Sequence, residues 1–359
     1  MPSGSADPIE PTRLLRRRSL LAAAAFTSLT ACGPKRGADQ LAADLAAALA
    51  RGDQQAFVAC FGGSAAPTAE RLWANWAGLA AVEPRWEGSA LRVSWRAPGE
   101  RHAAEETLGV ALDGGRIGAL SPTGPAPLWL PERLAVRSAP GAALLAAAAI
   151  PDADALVWLQ AAAEASGLVA AAGLGPAARS WDGTLVVGLP ATPEAFAATS
   201  GLPSGQAAAT QAATVMATAS SAPRVTVSRA GSAALDEAGR RALLVHEGVH
   251  VATRSAVSAA PLWLVEGVAE SVTAGVDPAT RARNAALLDV APRPRELPTR
   301  SELSGAAADI AYAWAAVAVD AAIARWGRPA VMGWLADWAA PDRPAEAAFA
   351  TTFLASLPG

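Results

Sequence analysis

Apolar residues recur at helical spacing from 39 to 61, with Leu41, Leu45, Leu49 and Phe57 on one side of the wheel. Arg51-Gly52-Asp53 interrupts the run, so two short helices are expected there rather than one long one. A further helix is expected over Leu72–Leu79. The period then drops to two: Leu91, Val93 and Trp95 alternate with Arg92 and Ser94, and Leu108–Leu112 alternates likewise. Asp113-Gly114-Gly115 is a hairpin-type turn signal leading to a short strand over Arg116–Leu120. Helices followed by a small antiparallel sheet make an α+β unit over residues 38–122.

Ser121-Pro122-Thr123-Gly124-Pro125 punctuates the chain and marks a domain boundary, with the second domain over 126–359. Leu134–Val136 reads as a strand. The apolar stretch Gly141–Ile150 reads as a buried helix, as does Ala313–Ile323, which Asp320 interrupts. Ala153–Ala172 is a further helix, with Leu156, Leu159 and Ala163 facing inward. Thr184–Leu189 has the unbroken apolar character of a buried strand. Gly205–Ser221 is rich in Ala, Thr and Ser, and no element is assigned to it. Arg224–Arg229 alternates and reads as an edge strand. A helix follows from an N-cap at Asp236 to about Arg254, and Pro261 opens another that ends around Gly275. The class is therefore α+β.

Charge and cysteine usage change the picture at the start of the chain. Arg13, Arg16, Arg17 and Arg18 precede an apolar run from Leu20 to Ala31, too short for an ordinary membrane span. Leu29-Thr30-Ala31-Cys32 resembles a bacterial lipobox, in which cleavage leaves a lipid on Cys32. Arg17-Arg18-Ser19-Leu20-Leu21 resembles a twin-arginine export signal; an uncleaved N-terminal anchor is the alternative. Residues 1–31 are thus expected to be a signal peptide and 32–37 a tether. The remainder would stand at the extracytoplasmic face of a bacterial cell membrane. It carries 25 basic and 30 acidic residues, a net charge of −5, which offers no basic face for nucleic acid. Cys60, the one other cysteine, reads as a small buried hydrophobe. His102 falls in a polar loop, Pro98-Gly99-Glu100-Arg101-His102, and reads as solvated.

The candidate chemistry lies in the helix after Asp236. His246-Glu247-Gly248-Val249-His250 uses two of the chain's three histidines within one turn. Residues four apart share a helical face, so both imidazoles point the same way, with Glu247 beside them. This is the H-E-x-x-H arrangement that binds zinc and supplies a general base. Gly248 costs the helix roughly 1 kcal/mol relative to alanine, which close packing would explain. A catalytic zinc takes three protein ligands and leaves a place for water. Glu266, in the next expected helix, can complete a His₂Glu set. With no cysteine nearby, an open catalytic site fits better than a closed structural one.

Glu266 stands in Trp263-Leu264-Val265-Glu266-Gly267-Val268-Ala269-Glu270. Together with the upstream H-E-x-x-H, this segment resembles the gluzincin metallopeptidases of the peptidase-MA-like kind (W-L-x-E-G-x-A-[ED]). The resemblance is clear over roughly 224–330. It implies a zincin-like, thermolysin-like domain with His246, His250 and Glu266 as zinc ligands and Glu247 as base. It also implies a second-layer role for Glu270, orienting a ligand histidine; an exposed helical glutamate is the alternative. In zincins an edge strand such as Arg224–Arg229 lines the cleft and pairs with extended substrate. The segment Ala48-Leu49-Ala50-Arg51-Gly52-Asp53 and the curved-sheet pattern after it resemble an NTF2-like domain.

The activity so implied is hydrolysis of peptide bonds, in peptide or protein substrates, outside the cytoplasm. Tyr312, the one tyrosine, stands in Asp309-Ile310-Ala311-Tyr312-Ala313-Trp314 and resembles the family's downstream tyrosine helix. Its phenol suits stabilisation of an oxyanion; a core tyrosine is the alternative. Arg254 is expected to complement the dipole at its helix end, or else to pair with a carboxylate or substrate. Two other functions fit the same residues: a binding lipoprotein that keeps the scaffold without turnover, and a zinc amidase acting on cell-wall peptides.

Overall fold

A computed structural model describes residues 37–216 and 218–357. The expected signal peptide, the tether to Arg36 and Cys32 lie outside the described residues. The chain begins with α1 (Ala38–Arg51), α2 (Gln54–Val58) and α3 (Ala66–Ala77). The break between the first two is where Arg51-Gly52-Asp53 placed it: Gly52 caps α1 in the left-handed region, and Asp53 accepts from Ala56 N to start α2. Four strands follow as an antiparallel meander: β1 (Ala81–Glu87), β2 (Ala90–Arg96), β3 (Ala104–Asp113) and β4 (Arg116–Pro122). Strand β1 had no sequence signal beyond a weak alternation broken by Pro84. It is an edge strand, where a proline is tolerated. Cys60 is buried in the core beneath this sheet, and His102 is exposed.

The second sheet runs β5 (Leu134–Ala139), β6 (Ala142–Ala147), β7 (Leu185–Leu189), β8 (Ala212–Val215) and β9 (Arg224–Val227), in spatial order β5-β6-β7-β9-β8. The inner three are parallel and the two outer ones antiparallel to their neighbours. This corrects two expectations. The run Gly141–Ile150 is not a helix; it holds strand β6. Ala142, Leu144 and Ala146 face one core while Ala143 and Leu145 face the other. A strand buried on both sides needs no polar alternation, so its sequence is indistinguishable from a short buried helix. Arg224–Val227 is not the edge strand either. It lies between β7 and β8, and the edge is β8, inside the segment to which no element was assigned.

The crossover from β6 to β7 carries α4 (Asp152–Ala171). Its inward face is Ala155, Trp158, Leu159, Ala162, Ala165 and Val169. Leu156, expected inside, is 53% exposed. Most of this helix is apolar or alanine, so hydrophobicity alone does not select a face; packing against β6, β7 and the motif helix does. Between β7 and β8 come α5 (Pro193–Ser200) and α6 (Ser204–Ala209).

The C-terminal third is helical. It comprises α7 (Glu237–Thr253), α8 (Leu262–Val276), α9 (Pro278–Val290), α10 (Arg300–Leu303), α11 (Ala308–Trp326), α12 (Arg328–Ala336) and α13 (Glu346–Ser356). Helix α7 packs on α4, and α8 on α11. Gly267 permits the second contact: a Cβ there would meet the Ala315 carbonyl oxygen at 2.4 Å. Gly248 does the same for α7, where a Cβ would come within 3.0 Å of Val169 Cγ2, accounting for its helical cost. Trp263, Trp326, Trp334 and Phe349 close the far end with tilted and edge-on ring contacts. Among the described residues no helix is long and apolar enough to cross a membrane.

The two sheets share a core. Leu128, Trp129 and Leu130 of the connecting segment join Leu145 and Val186 of the second sheet beneath the first. A buried ion pair ties them as well. The Arg224 guanidinium donates to both oxygens of Glu100, at 2.6 and 2.9 Å, and lies over the Trp95 ring at 4.5 Å.

Candidate metal centre

The site is built on two successive helices. Asp236 accepts from Gly239 N at 2.8 Å and starts α7 where the sequence placed it. Ten residues on, His246 and His250 stand one turn apart with ring centroids 4.8 Å from each other. The chain then turns through a short 3-10 segment and Pro261, and α8 returns Glu266 to face both rings. Glu266 Oε2 lies 3.4 Å from His246 Nε2 and 3.2 Å from His250 Nε2, and the two ring nitrogens are 3.1 Å apart. Among the described residues this is the one cluster of three or more such side chains that could hold a metal ion.

Three atoms bound to one zinc at about 2.0–2.2 Å and tetrahedral angles would be separated by about 3.4 Å. The observed triangle has that size. Protonation points the same way. His246 Nδ1 lies 3.3 Å from Glu270 Oε2, in position to donate to that carboxylate, so Nε2 is the ring nitrogen that would face a metal ion. His250 Nδ1 is buried and has no hydrogen-bond partner. The three facing donor atoms therefore converge on one point and could hold a metal ion.

The electrostatics report a surplus of negative charge. Burial works to depress the His246 pKa, but Glu266 and Glu270 outweigh it and push it up to about 10. Burial would raise Glu266, yet the two imidazoles hold it well below the usual carboxylate range. Glu270 falls to about 2 despite its burial, because His246, Asn284 and Arg283 favour its charged form. Tyr312 is pushed above its ordinary value, first by burial and then by Glu266 and Glu247.

Glu270 is buried, which removes the exposed-glutamate alternative. Its other oxygen accepts from Arg283 at 2.6 Å and from Asn284 at 2.8 Å, both on α9. Tyr312, on α11, has its ring centroid 6.1 Å from that of His246. Glu247 is 8% exposed, and its Oε2 accepts from the Thr214 hydroxyl at 2.7 Å. Arg254 stands at the end of α7, and its side chain also reaches beyond the helix. It takes the left-handed conformation as the C-cap, and its side chain donates to the carbonyls of Ala219 and Ser221, holding the loop between β8 and β9.

Thr214, Arg283 and Asn284 were missed from sequence. Thr214 sits in the Ala/Thr/Ser stretch, where no residue stands out. Arg283 and Asn284 lie on a polar helix that reads as solvent-facing. Only the fold brings them to the site. Compared with known proteins, the chain matches no family model, no curated protein and no solved structure.

Proposed function

We propose that this chain is a zinc-dependent peptidase of the gluzincin type. The observation that carries the reading is the triangle of His246, His250 and Glu266 donor atoms, with an intact Glu247 in the same helical turn. In this reading the part over 126–359 is a zincin-like domain, the part over 38–122 is an NTF2-like accessory, and a lipid on Cys32 anchors the protein outside the cytoplasm. The substrate is a peptide or protein chain.

Zinc held by His246, His250 and Glu266 would activate water and polarise a carbonyl. The protein's own groups do the rest. Glu247 takes the water's proton and passes it to the leaving amine. Tyr312, kept protonated by its raised pKa, donates a hydrogen bond to the oxygen that becomes negative. Glu270 fixes the tautomer of His246, and Arg283 and Asn284 fix Glu270. Strand β8 is the edge strand on the side of Glu247, and it offers its backbone to an extended substrate.

The test is metal analysis of the purified chain beside hydrolysis of a fluorogenic peptide mixture, with and without a chelator. One equivalent of zinc and chelator-sensitive turnover are expected. Glu247→Gln should keep the zinc and lower kcat by about 10²–10⁴-fold. Zinc retained with no turnover of any peptide would sink the enzyme reading.

A further inference from the structure

Strand β8 enters the site by a second route, through a side chain. The Thr214 hydroxyl donates to Glu247 Oε2 at 2.7 Å, against 3.3 Å to the Glu247 backbone carbonyl, so the carboxylate receives its single proton. A carboxylate with one oxygen held this way presents the other in a fixed direction. Threonine suits the task because its branched Cβ restricts χ1, and the strand beneath it is fully paired to β9, with Thr214 opposite Val225.

That strand is held from outside the motif helix. Arg224, on β9 opposite Val215, is clamped by Glu100 of the first unit. Ala222 N donates to the Ala103 carbonyl at 3.1 Å, and Glu105 N donates to Ser221 Oγ at 3.0 Å. Arg254, at the end of α7, holds the same loop through Ala219 and Ser221. The hairpin β8–β9 is thus fixed at its loop to the first sheet and to α7, with Thr214 directed at Glu247.

We propose that Thr214 is a positioning residue for Glu247, set in place by a hairpin that the N-terminal sheet braces. The inference rests on the reading of Glu247 as the base. It assigns the N-terminal unit a part in catalysis, as the support of the strand that aims the carboxylate.

The experiment compares the full chain, loaded with zinc, as wild type, Thr214→Val and Thr214→Ser on a fluorogenic peptide mixture. Valine keeps the shape and loses the donor; serine keeps the donor. The expected result for the valine variant is a kcat about 10–100-fold lower, with KM within about twofold of wild type. Zinc content and thermal midpoint should be unchanged, and the serine variant should recover most of kcat. A valine variant as fast as wild type overturns the inference and leaves the peptidase reading standing. Equal losses in both variants, or a valine variant that loses zinc, overturn it too, since the effect would then be structural. A wild type that holds zinc yet cleaves nothing overturns both.

Discussion

Glu270 shows how much one buried carboxylate sets in this site. It bridges His246 on one side and Arg283 with Asn284 on the other, so the histidine's tautomer depends on a helix that carries no candidate ligand. Glu270→Gln keeps the volume but exchanges an acceptor for a group that can present its amide to Nδ1. Zinc affinity is expected to fall by about 10–100-fold, measured by competition with a chromogenic chelator. An unchanged affinity would reduce Glu270 to a packing residue. Its spacing of four from Glu266 was visible in the sequence; its burial and its partners on α9 were not.

At the scale of elements, the site depends on how closely α8 approaches α11. Gly267 follows Glu266 directly, and the Ala315 carbonyl occupies the place a side chain would need. Gly267→Ala must push the helices apart, at a cost of about 1–3 kcal/mol. It must also displace Glu266 and Tyr312 relative to each other. A lower denaturant midpoint together with weaker zinc binding is the expected outcome. Loss of stability with zinc affinity intact would show that the shift is absorbed elsewhere. Most elements were legible from period alone, the motif helix to within a residue at each end. No expectation covered β1, α5, α6, α9, α10, α12 or α13; in the second sheet, β6 was misread and β8 left unassigned because both lack the signal on which period depends. One is apolar on both faces, and the other is four residues of small side chains.

For the whole molecule, the junction between the two sheets buries charge outside the candidate site, at Arg224, Glu100 and Glu106. Glu106 of β3 lies near Arg224 and Trp95, and burial outweighs the guanidinium and pushes its pKa up to about 7. A carboxyl whose folded pKa exceeds its unfolded value binds its proton more tightly when folded. Its contribution to stability is therefore full below the unfolded value of 4.5 and is lost as pH rises through about 7. The loss is on the order of 2–3 kcal/mol. Glu106→Gln cannot ionise, so its melting temperature should gain on wild type as pH rises from about 5 to about 8. Parallel curves would show that Glu106 is ionised in the fold without penalty.

The sequence alone determined the α7–α8 frame. An N-cap, a four-residue histidine spacing and a proline-opened second helix are local features, and local backbone physics is enough to express them. It also brought His246, His250 and Glu266 forward as a ligand set. The tertiary structure decided everything that needs partners distant in the chain: which strand forms the sheet edge, that Thr214 holds Glu247, that α9 holds Glu270, and that Arg224 fastens the first sheet to the second. Those contacts join residues up to 124 positions apart. No local pattern records them, because what selects them is the burial of two cores against one sheet.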